Sequence, residues 1–145
     1  MHKYLLRNTN LSLKEKSTSE AGIATKIAEI YSEAGILDKA EEYYRQSLSF
    51  EPENPARISN LAYFLVNKNR NIEEGLELAN RALGLIPDDY ASLHAKGWGL
   101  YKQGKYKEAM EILQKSWDLR REKAVYNHEA FLHLEEAKKA VAGQK

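Results

Sequence analysis

The sequence predicts an all-α fold, an α-α superhelix (solenoid) of about seven antiparallel helices. Three observations support this prediction: the composition favours helices, apolar residues recur at helical spacing, and a two-helix unit of about 34 residues recurs along the chain. Only 3 of the 145 residues are proline, whereas Glu, Lys, Ala and Leu, which form helices readily, are abundant. Units of this length bury their apolar sides against each other, so we expect a stack of helix pairs.

The clearest unit surrounds the stretch from Tyr101 to Ala109. A helix is predicted to end at Gly104, because glycine adopts without a steric penalty the left-handed conformation that follows many helices. A second helix then begins around Tyr106, and Ala109 lies where the two helix backbones must approach closely. The spacing of these residues therefore predicts a pair of helices joined by a tight turn.

The same spacing recurs in two earlier parts of the chain. In the clearest unit this is the spacing of Gly97, Gly104, Tyr106 and Ala109. The same spacing is found 69 residues earlier, at Ala28, Gly35, Leu37 and Ala40. A third copy, with one extra residue in its turn, contains Ala62, Ile72 and Gly75. A two-helix repeat of about 34 residues resembles the tetratricopeptide repeat. The resemblance covers roughly residues 20–123 and is strongest from Trp98 through Ser116, which is similar to a family consensus segment.

The repeats define a single predicted domain over residues 17–142. Its units are residues 21–54, 55–89 and 90–123, followed by a capping helix over residues 124–141. A capping helix is expected because a repeat array needs a polar outer side on its last unit. Residues 1–16 fit no unit and are interpreted as an N-terminal linker or tail, with a segment folded back on the first helix as the alternative.

Helix starts are predicted from capping patterns, in which a side-chain oxygen accepts a hydrogen bond from a free backbone N–H of the first turn. Ser17 with Glu20 forms a capping box for the first helix, and Asp38 with Glu41 forms one for the second. The later starts are predicted at Asn54 with Pro55, at Asn71 with Glu74, and at Asp89.

The composition limits the classes of partner. Lys and Arg number 22 and Asp and Glu number 21, so the net charge is +1, and neither a nucleic acid nor an anionic membrane surface is expected as a partner. No apolar run is long enough to span a membrane, and no signal peptide opens the chain, so a soluble, cytoplasmic protein is favoured. The chain contains no cysteine, which excludes disulfides, thiol catalysis and cysteine-ligated metal sites.

The resemblance implies a non-catalytic protein–protein interaction module that binds a peptide or protein segment in a concave groove. The alternative is a structural, regulatory or dimerising segment of a larger multidomain protein, and self-association is compatible with both interpretations. No cofactor is expected, because the sequence contains no phosphate-binding loop and no nucleophile paired with a base.

In this family the first helix of each pair lines the groove, and the resemblance places there Glu29, Glu33, Ser59, Tyr63, Asn67, His94, Trp98, Tyr101, Lys102 and His128. Tyr63 and Trp98 hold the same position on neighbouring units and are predicted to anchor the partner, since aromatic side chains bury much area at little entropic cost. The alternative is that Trp98 packs against the next helix. Glu29 and Glu33 favour a basic group on the partner.

Chaperone-binding members of the family hold a C-terminal carboxylate with lysine, asparagine and arginine side chains. The matching positions here are Thr25, Glu29, Asn60, Ala91 and Ala95. Only Asn60 agrees with that pattern, and Glu29 would repel a carboxylate. We therefore expect no chaperone carboxylate clamp.

No metal site is predicted, although histidines recur near the C-terminus. His94 and His128 are 34 residues apart, so they are predicted to occupy equivalent places on adjacent helices. His128 and His133 are five residues apart and are predicted to face different sides of their helix. Adjacent helix axes lie ~8–10 Å apart, so two such histidines could share a zinc ion only with favourable side-chain reach, and they are interpreted as groove or surface residues.

Overall fold

The computed structural model describes residues 19–144 of the chain. All the regular elements in this range are α-helices, which confirms the predicted all-α class. The seven helices are α1 (Glu20–Glu33), α2 (Leu37–Phe50), α3 (Pro55–Asn67), α4 (Ile72–Leu85), α5 (Tyr90–Lys102), α6 (Tyr106–Glu122) and α7 (His128–Gly143).

Three of the turns between helices depend on a residue with positive φ. Gly35 follows α1 with a φ of 79°, and Gly104 follows α5 with a φ of 83°. Asn69 takes the equivalent position after α3 with a φ of 56°, and asparagine tolerates this conformation better than most side chains. The chain can therefore reverse direction after each of these helices.

The chain divides into two compact units, one that ends at Leu61 and one that begins at Ala62, so the boundary lies within α3. In the first unit α1 packs on α2 through small and polar side chains. The Oγ1 atom of Thr25 lies 2.7 Å from Oγ of Ser47, and both hydroxyl groups donate to the carbonyl oxygen of Ala21. These buried hydroxyls thus all have hydrogen-bond partners.

Small residues allow the helices of the second unit to approach closely. Ala62, Ala79 and Ala95 form a fully buried cluster that joins α3, α4 and α5. A Cβ atom added at Gly97 of α5 would lie 2.6 Å from Cγ of Leu113 in α6, well inside van der Waals contact. The absence of a side chain at Gly97 therefore sets the distance between these two helices.

The last helix covers the apolar side of α6. Leu113 of α6 packs with Leu134 and Ala137 of α7 in a second buried cluster. Tyr101, Met110 and Trp117 pack around it. The chain thus places a helix over its last helix pair, and the outer side of α7 carries exposed charged residues such as Lys138 and Lys139.

Several predicted helix starts agree with the structure, and three need correction. Asn54 and Asn71 cap their helices as predicted, by accepting hydrogen bonds from the backbone N–H of Ala56 and Glu74. The predicted cap at Asp38 is wrong, because α2 begins one residue earlier, at Leu37, without a side-chain cap.

The cap of α1 is Ser19, whose side chain accepts a hydrogen bond from the N–H of Gly22 at 3.1 Å. It was predicted at Ser17, which lies outside the described residues, as does the predicted linker at residues 1–16.

The capping helix begins later than predicted. It was expected from residue 124, but α7 starts at His128, and Asn127 caps it by accepting a hydrogen bond from the N–H of Ala130 at 2.8 Å. Ala124 instead adopts a left-handed conformation with a φ of 55°, so the chain cannot continue as a helix beyond the end of α6.

Candidate functional site

Six of the predicted groove residues lie close together in the second unit. Together with two residues of α7 they form a surface that we call the first-helix face. Its members are Tyr63, Asn67, His94, Trp98, Tyr101 and Lys102 from α3 and α5, and Glu129 and His133 from α7. Sequence reasoning identified the first six and missed the last two.

Trp98 is at the centre of the first-helix face. Its ring stacks with that of Tyr101 at a centroid distance of 4.6 Å and an interplanar angle of 8°. It also stacks with the ring of His133, at 3.6 Å and 3°. The indole Nε1–H donates a hydrogen bond to Oδ1 of Asn67 at 3.2 Å. Trp98 therefore links α3, α5 and α7, yet it remains partly exposed.

Lys102 adds a positive charge beside this aromatic group. Its Nζ atom donates to the carbonyl oxygen of Asn67 at 3.0 Å and to Oδ1 of Asn69 at 2.8 Å. The same atom lies 5.6 Å from the centroid of the Trp98 ring, within the range of a cation–π contact. Partial burial, together with the nearby charge of Lys68, lowers the pKa of Lys102.

Two histidines form a hydrogen bond at the inner side of the face. Nε2 of His94 and Nδ1 of His133 are 2.8 Å apart, so one ring nitrogen donates and the other accepts. Burial, with smaller effects from His133 and Arg120, lowers the pKa of His94 to about 3. Burial also lowers the pKa of His133 to about 4, although Glu129 acts against this shift. Both rings are therefore neutral at neutral pH.

Tyr63 connects α3 to the start of α7. Its hydroxyl donates a hydrogen bond to Oε2 of Glu129 at 2.9 Å, and its ring lies 4.8 Å from that of His94. Burial and the Glu129 carboxylate raise the pKa of Tyr63, so the phenol stays protonated and acts as the donor. The predicted anchor residues Tyr63 and Trp98 thus both contact α7. For Trp98, this contact agrees with the alternative interpretation from the sequence, in which the side chain packs against the next helix.

The structure does not place His128 beside His94, and the prediction that they occupy equivalent positions is wrong. His128 is exposed, and its Nδ1 atom lies 2.9 Å from the hydroxyl of Tyr126. His133 contacts His94 instead, because α6 has 17 residues whereas α2 and α4 have 14, and the connection at residues 123–127 is one residue longer than those at 51–54 and 86–89. The spacing of Glu129 and His133, four residues apart on one helix face, is the sequence signal that could have identified them once the helix start was known.

The remaining predicted groove residues belong to the first unit. Glu29 forms an exposed ion pair with Lys26 at 3.2 Å, and Glu33 is exposed at the end of α1. Ser59 is only 3% exposed and donates its hydroxyl to the carbonyl oxygen of Ala56, so this side chain is engaged within its own helix.

Other kinds of site find no support in the part of the chain that the structure describes. Within residues 19–144 no three histidine or acidic side chains are grouped so that they could bind a metal ion. In the same range, no helix has both the length and the apolar character needed to cross a membrane.

Comparison with protein families gives a consistent result for both units. Two family models described as tetratricopeptide repeat match residues 21–54 and 91–130. The first match has the same bounds as the first predicted repeat.

Two curated relatives contain similar segments. A TPR repeat-containing protein of Pseudomonas aeruginosa is 34% identical over 100 residues, which are 69% of this chain and 16% of the relative. A TPR repeat-containing protein of Methanocaldococcus jannaschii is 35% identical over 89 residues, which are 61% of this chain and 16% of the relative. The chain therefore spans only a small part of the length of these relatives.

Solved structures share the fold at low sequence identity. The Sgt2 TPR domain from Aspergillus fumigatus superposes with a TM-score of 0.71 and 23% identity over 88% of this chain and 84% of that domain. The first TPR of Spaghetti (RPAP3), solved with an HSP90 peptide, superposes with a TM-score of 0.69 and 20% identity over 85% of this chain and 96% of that chain. At these identities the likeness concerns the fold alone.

Proposed function

The chain belongs to the tetratricopeptide repeat family, and from this premise we propose that it is a non-catalytic module that binds a peptide or protein segment. Members of the family are protein-interaction scaffolds, and one structural neighbour was solved with a peptide bound.

We place the partner segment on the first-helix face, and one observation carries this proposal. The stacked rings of Trp98 and Tyr101 remain partly exposed next to the ammonium group of Lys102. Rigid aromatic side chains bury a large area with little loss of rotamer freedom, and they dominate many interfaces. The contacts with α7 hold the Trp98 ring in one orientation, which reduces the entropic cost of binding further.

The chaperone carboxylate clamp stays excluded in this proposal. Thr25 is buried and bonded to Ser47, and Ala95 is fully buried, so neither can hold a ligand from the surface. Glu29 places a negative charge at a third clamp position, where a carboxylate would be repelled. We therefore expect an internal segment, or a terminus held elsewhere, rather than a terminal carboxylate in those positions.

A structural or regulatory role within a larger protein is the second candidate. It is supported by the lengths of the relatives, of which this chain matches only 16%. In this case the chain would bind no separate partner with useful affinity.

Selection of peptides from a random library displayed on phage, with the whole chain immobilised, tests the proposal. The selected peptide is synthesised, and calorimetry measures its affinity for the wild type and for Trp98→Ala. We expect Trp98→Ala to weaken binding at least tenfold, since a buried aromatic anchor contributes ~2 kcal/mol or more. Thermal unfolding checks that the variant remains folded at the temperature of the measurement.

Tyr43→Ala is the matched control. Tyr43 is a partly exposed aromatic residue on α2, a second helix of a pair, where it stacks with Tyr31 at 5.7 Å. This variant should bind the peptide like the wild type. Equal affinity of wild type and Trp98→Ala would remove the first-helix face from the interface, and a selection that yields no binding peptide would favour the structural role.

A further inference from the structure

The first-helix face carries charges of opposite sign at its two ends. Near His94, the carboxylate of Glu129 already accepts the hydrogen bond of the Tyr63 hydroxyl. Lys102 lies eight residues after His94 on α5, which is about 12 Å along the helix. At that end its ammonium group lies beside the Trp98 ring. A segment bound along α5 therefore meets an engaged carboxylate at one end and a positive charge at the other.

Lys102 is held in place by oxygen atoms that carry no net charge. Its Nζ atom donates to the carbonyl oxygen of Asn67 at 3.0 Å and to Oδ1 of Asn69 at 2.8 Å. An ammonium group has three N–H donors, and these bonds use two of them. Because the bond to Asn69 lies at the surface, the ammonium group and its remaining donor can be reached from outside the chain.

A second ammonium group adds to this positive charge. Lys68 is exposed in the turn after α3 and directly follows Asn67, whose carbonyl oxygen accepts from Lys102. Burial is the larger cause of the lowered pKa of Lys102, but the charge of Lys68 is near enough to contribute. Like charges near each other repel, and an anion close to both relieves the repulsion. We call Lys68 and Lys102 the lysine pair.

Neither member of the lysine pair forms an ion pair with a carboxylate within residues 19–144. The lysines that do form ion pairs in this range are Lys26, Lys39, Lys115, Lys138 and Lys139. Glu136 is near enough to Tyr101 to raise the pKa of that phenol, but its carboxylate is paired with Lys139 at 3.9 Å. The charge of the lysine pair is therefore open to a carboxylate from a partner.

Aromatic rings continue from this charge along the surface. The ring of Trp98 stacks with that of Tyr101 at 4.6 Å, and the ring of Tyr101 lies 5.2 Å from that of Tyr106. All three side chains are partly exposed. Nζ of Lys102 is 5.6 Å from the centroid of the Trp98 ring. One partner segment can therefore place an apolar side chain on the rings and a carboxylate on the ammonium group.

We propose that the segment bound on the first-helix face carries an acidic side chain, Asp or Glu, close to its apolar anchor, and that the lysine pair binds this carboxylate. The inference rests on the proposed function, since it gives the chemistry of the partner at the same site. The carboxylate accepts a charge-assisted hydrogen bond from Nζ of Lys102, and such bonds are stronger than those between neutral groups. Glu29 and Glu33, which favour a basic group on the partner, belong to the first unit and do not adjoin these rings.

Peptide selection on the immobilised whole chain provides the first test. The probe is a phage library of random peptides, each joined to the coat protein through its C-terminus. We expect Asp and Glu to be enriched beside the apolar residue that the selected peptides share, compared with the unselected library. Because no displayed peptide has a free C-terminus, an enriched carboxylate belongs to a side chain and not to a chain end.

A pair of synthetic peptides then measures the effect of the charge. One is the selected peptide, and the other is its neutral counterpart, in which each Glu is replaced by Gln and each Asp by Asn. Calorimetry should show about fivefold weaker binding of the neutral peptide, between the contributions of an exposed ion pair and of a hydrogen bond to a charged group. A rise in salt from about 0.05 M to about 0.5 M should weaken the acidic peptide more than the neutral one, because salt screens the attraction.

Variants assign this preference to the lysine pair. Lys68→Gln and Lys102→Gln should each reduce the difference in affinity between the acidic and the neutral peptide. Lys123→Gln is the matched control, since Lys123 is exposed and follows the last residue of α6, about 25 Å along that helix from its start. It should keep the full difference. If Lys102→Gln fails to fold because its bonds to Asn67 and Asn69 are lost, Lys68→Gln still decides the question.

Three results would overturn this inference. They are no enrichment of acidic residues, equal affinity of the two peptides, and an unchanged difference between them in folded variants of the lysine pair. The third result would limit Lys102 to holding the end of α3. The proposed function survives each of them as long as Trp98→Ala still weakens binding. A selection without binding peptides, or equal binding to Trp98→Ala, would instead overturn both.

Discussion

Arg120 shows how a single buried side chain can carry a cost in stability, because its Nε–H has no hydrogen-bond partner among the described residues. The residue is only 7% exposed, and its guanidinium group makes a cation–π contact with the Tyr90 ring. Replacement of unpaired or poorly compensated buried charges by apolar residues of similar volume is often neutral or stabilising.

The first prediction follows from this balance. Arg120→Met loses the cation–π contact but removes the cost of the buried charge, so the free energy of unfolding should stay the same or rise by ~1–2 kcal/mol. Urea unfolding followed by circular dichroism measures it. A loss of more than about 1 kcal/mol would mean that the Tyr90 contact outweighs the desolvation cost.

The histidine pair predicts a dependence of stability on pH. The pKa of His133 is about 4 and that of His94 about 3 in the folded chain, against 6.5 for an ordinary histidine. Between pH 6.5 and these lowered pKa values, the two histidines bind protons in the unfolded chain but not in the folded chain. The free energy of unfolding therefore falls as the pH falls from about 6.5 to about 4, and it levels off near pH 3. Glu129 opposes this effect at His133, whereas Lys102 adds to it.

His133→Gln removes one of the two titrating groups. Because glutamine does not ionise, we expect unfolding measured at several pH values to show a smaller slope between pH 6.5 and 4 than in the wild type. His128→Gln, an exposed position on the same helix, should leave the slope unchanged. Equal slopes in wild type and His133→Gln would show that other groups control the acid sensitivity.

At the scale of the helix, the distance between α5 and α6 depends on a missing side chain. The Cβ atom that alanine would add at Gly97 falls 2.6 Å from Cγ and 3.2 Å from the backbone nitrogen of Leu113. A backbone atom cannot move aside as the end of a flexible side chain can. The helix pair must therefore separate, or Leu113 must repack, to accept even one methyl group.

Gly97→Ala should lower the free energy of unfolding by ~1–3 kcal/mol, the usual cost of overpacking a core. Gly84→Ala is the control, because nothing lies within 4 Å of a Cβ atom at this position of α4. That substitution should stabilise the chain by ~0.5–1 kcal/mol through a better helix propensity. Thermal unfolding compares the two, and a Gly97→Ala variant as stable as Gly84→Ala would contradict the close approach of α5 and α6.

The helices could be predicted from the sequence with few errors, because each depends on local signals. Apolar spacing identified the helix faces, and Gly35 and Gly104 identified two turns, since their φ values of 79° and 83° favour glycine. The turn at Asn69 was found through the repeat spacing rather than through a glycine. The start of α2 was missed, because the Asp38 pattern resembles a cap although the helix begins at Leu37.

At the scale of the whole chain, the candidate site could be predicted only in part. Repeat spacing placed Tyr63 and Trp98 on first helices, where the structure has them. The partners Glu129 and His133 could not be derived, because the connection at residues 123–127 follows no repeat, and Ala124 takes a positive φ that alanine rarely adopts.

Removal of α7 tests its role as a cover for the second unit. A chain that ends after Glu122 exposes Leu113 and Trp117, which now pack against α7. We expect this truncated chain to aggregate or to lose helix cooperatively, because a large apolar surface becomes exposed. A chain that ends after Gly143, the last residue of α7, should behave like the full length. Size-exclusion chromatography and circular dichroism measure the difference, and a monomeric, fully helical truncation at Glu122 would contradict this role.

Hydrogen–deuterium exchange with and without the selected peptide most directly tests where the partner binds. If the segment lies on the first-helix face, the peptide should slow exchange in α5 and α7, at residues 90–102 and 128–143, and should leave α2 unchanged. The Trp98→Ala variant should show no such protection at the same peptide concentration. Protection confined to α2, α4 or α6 would contradict this placement of the partner segment.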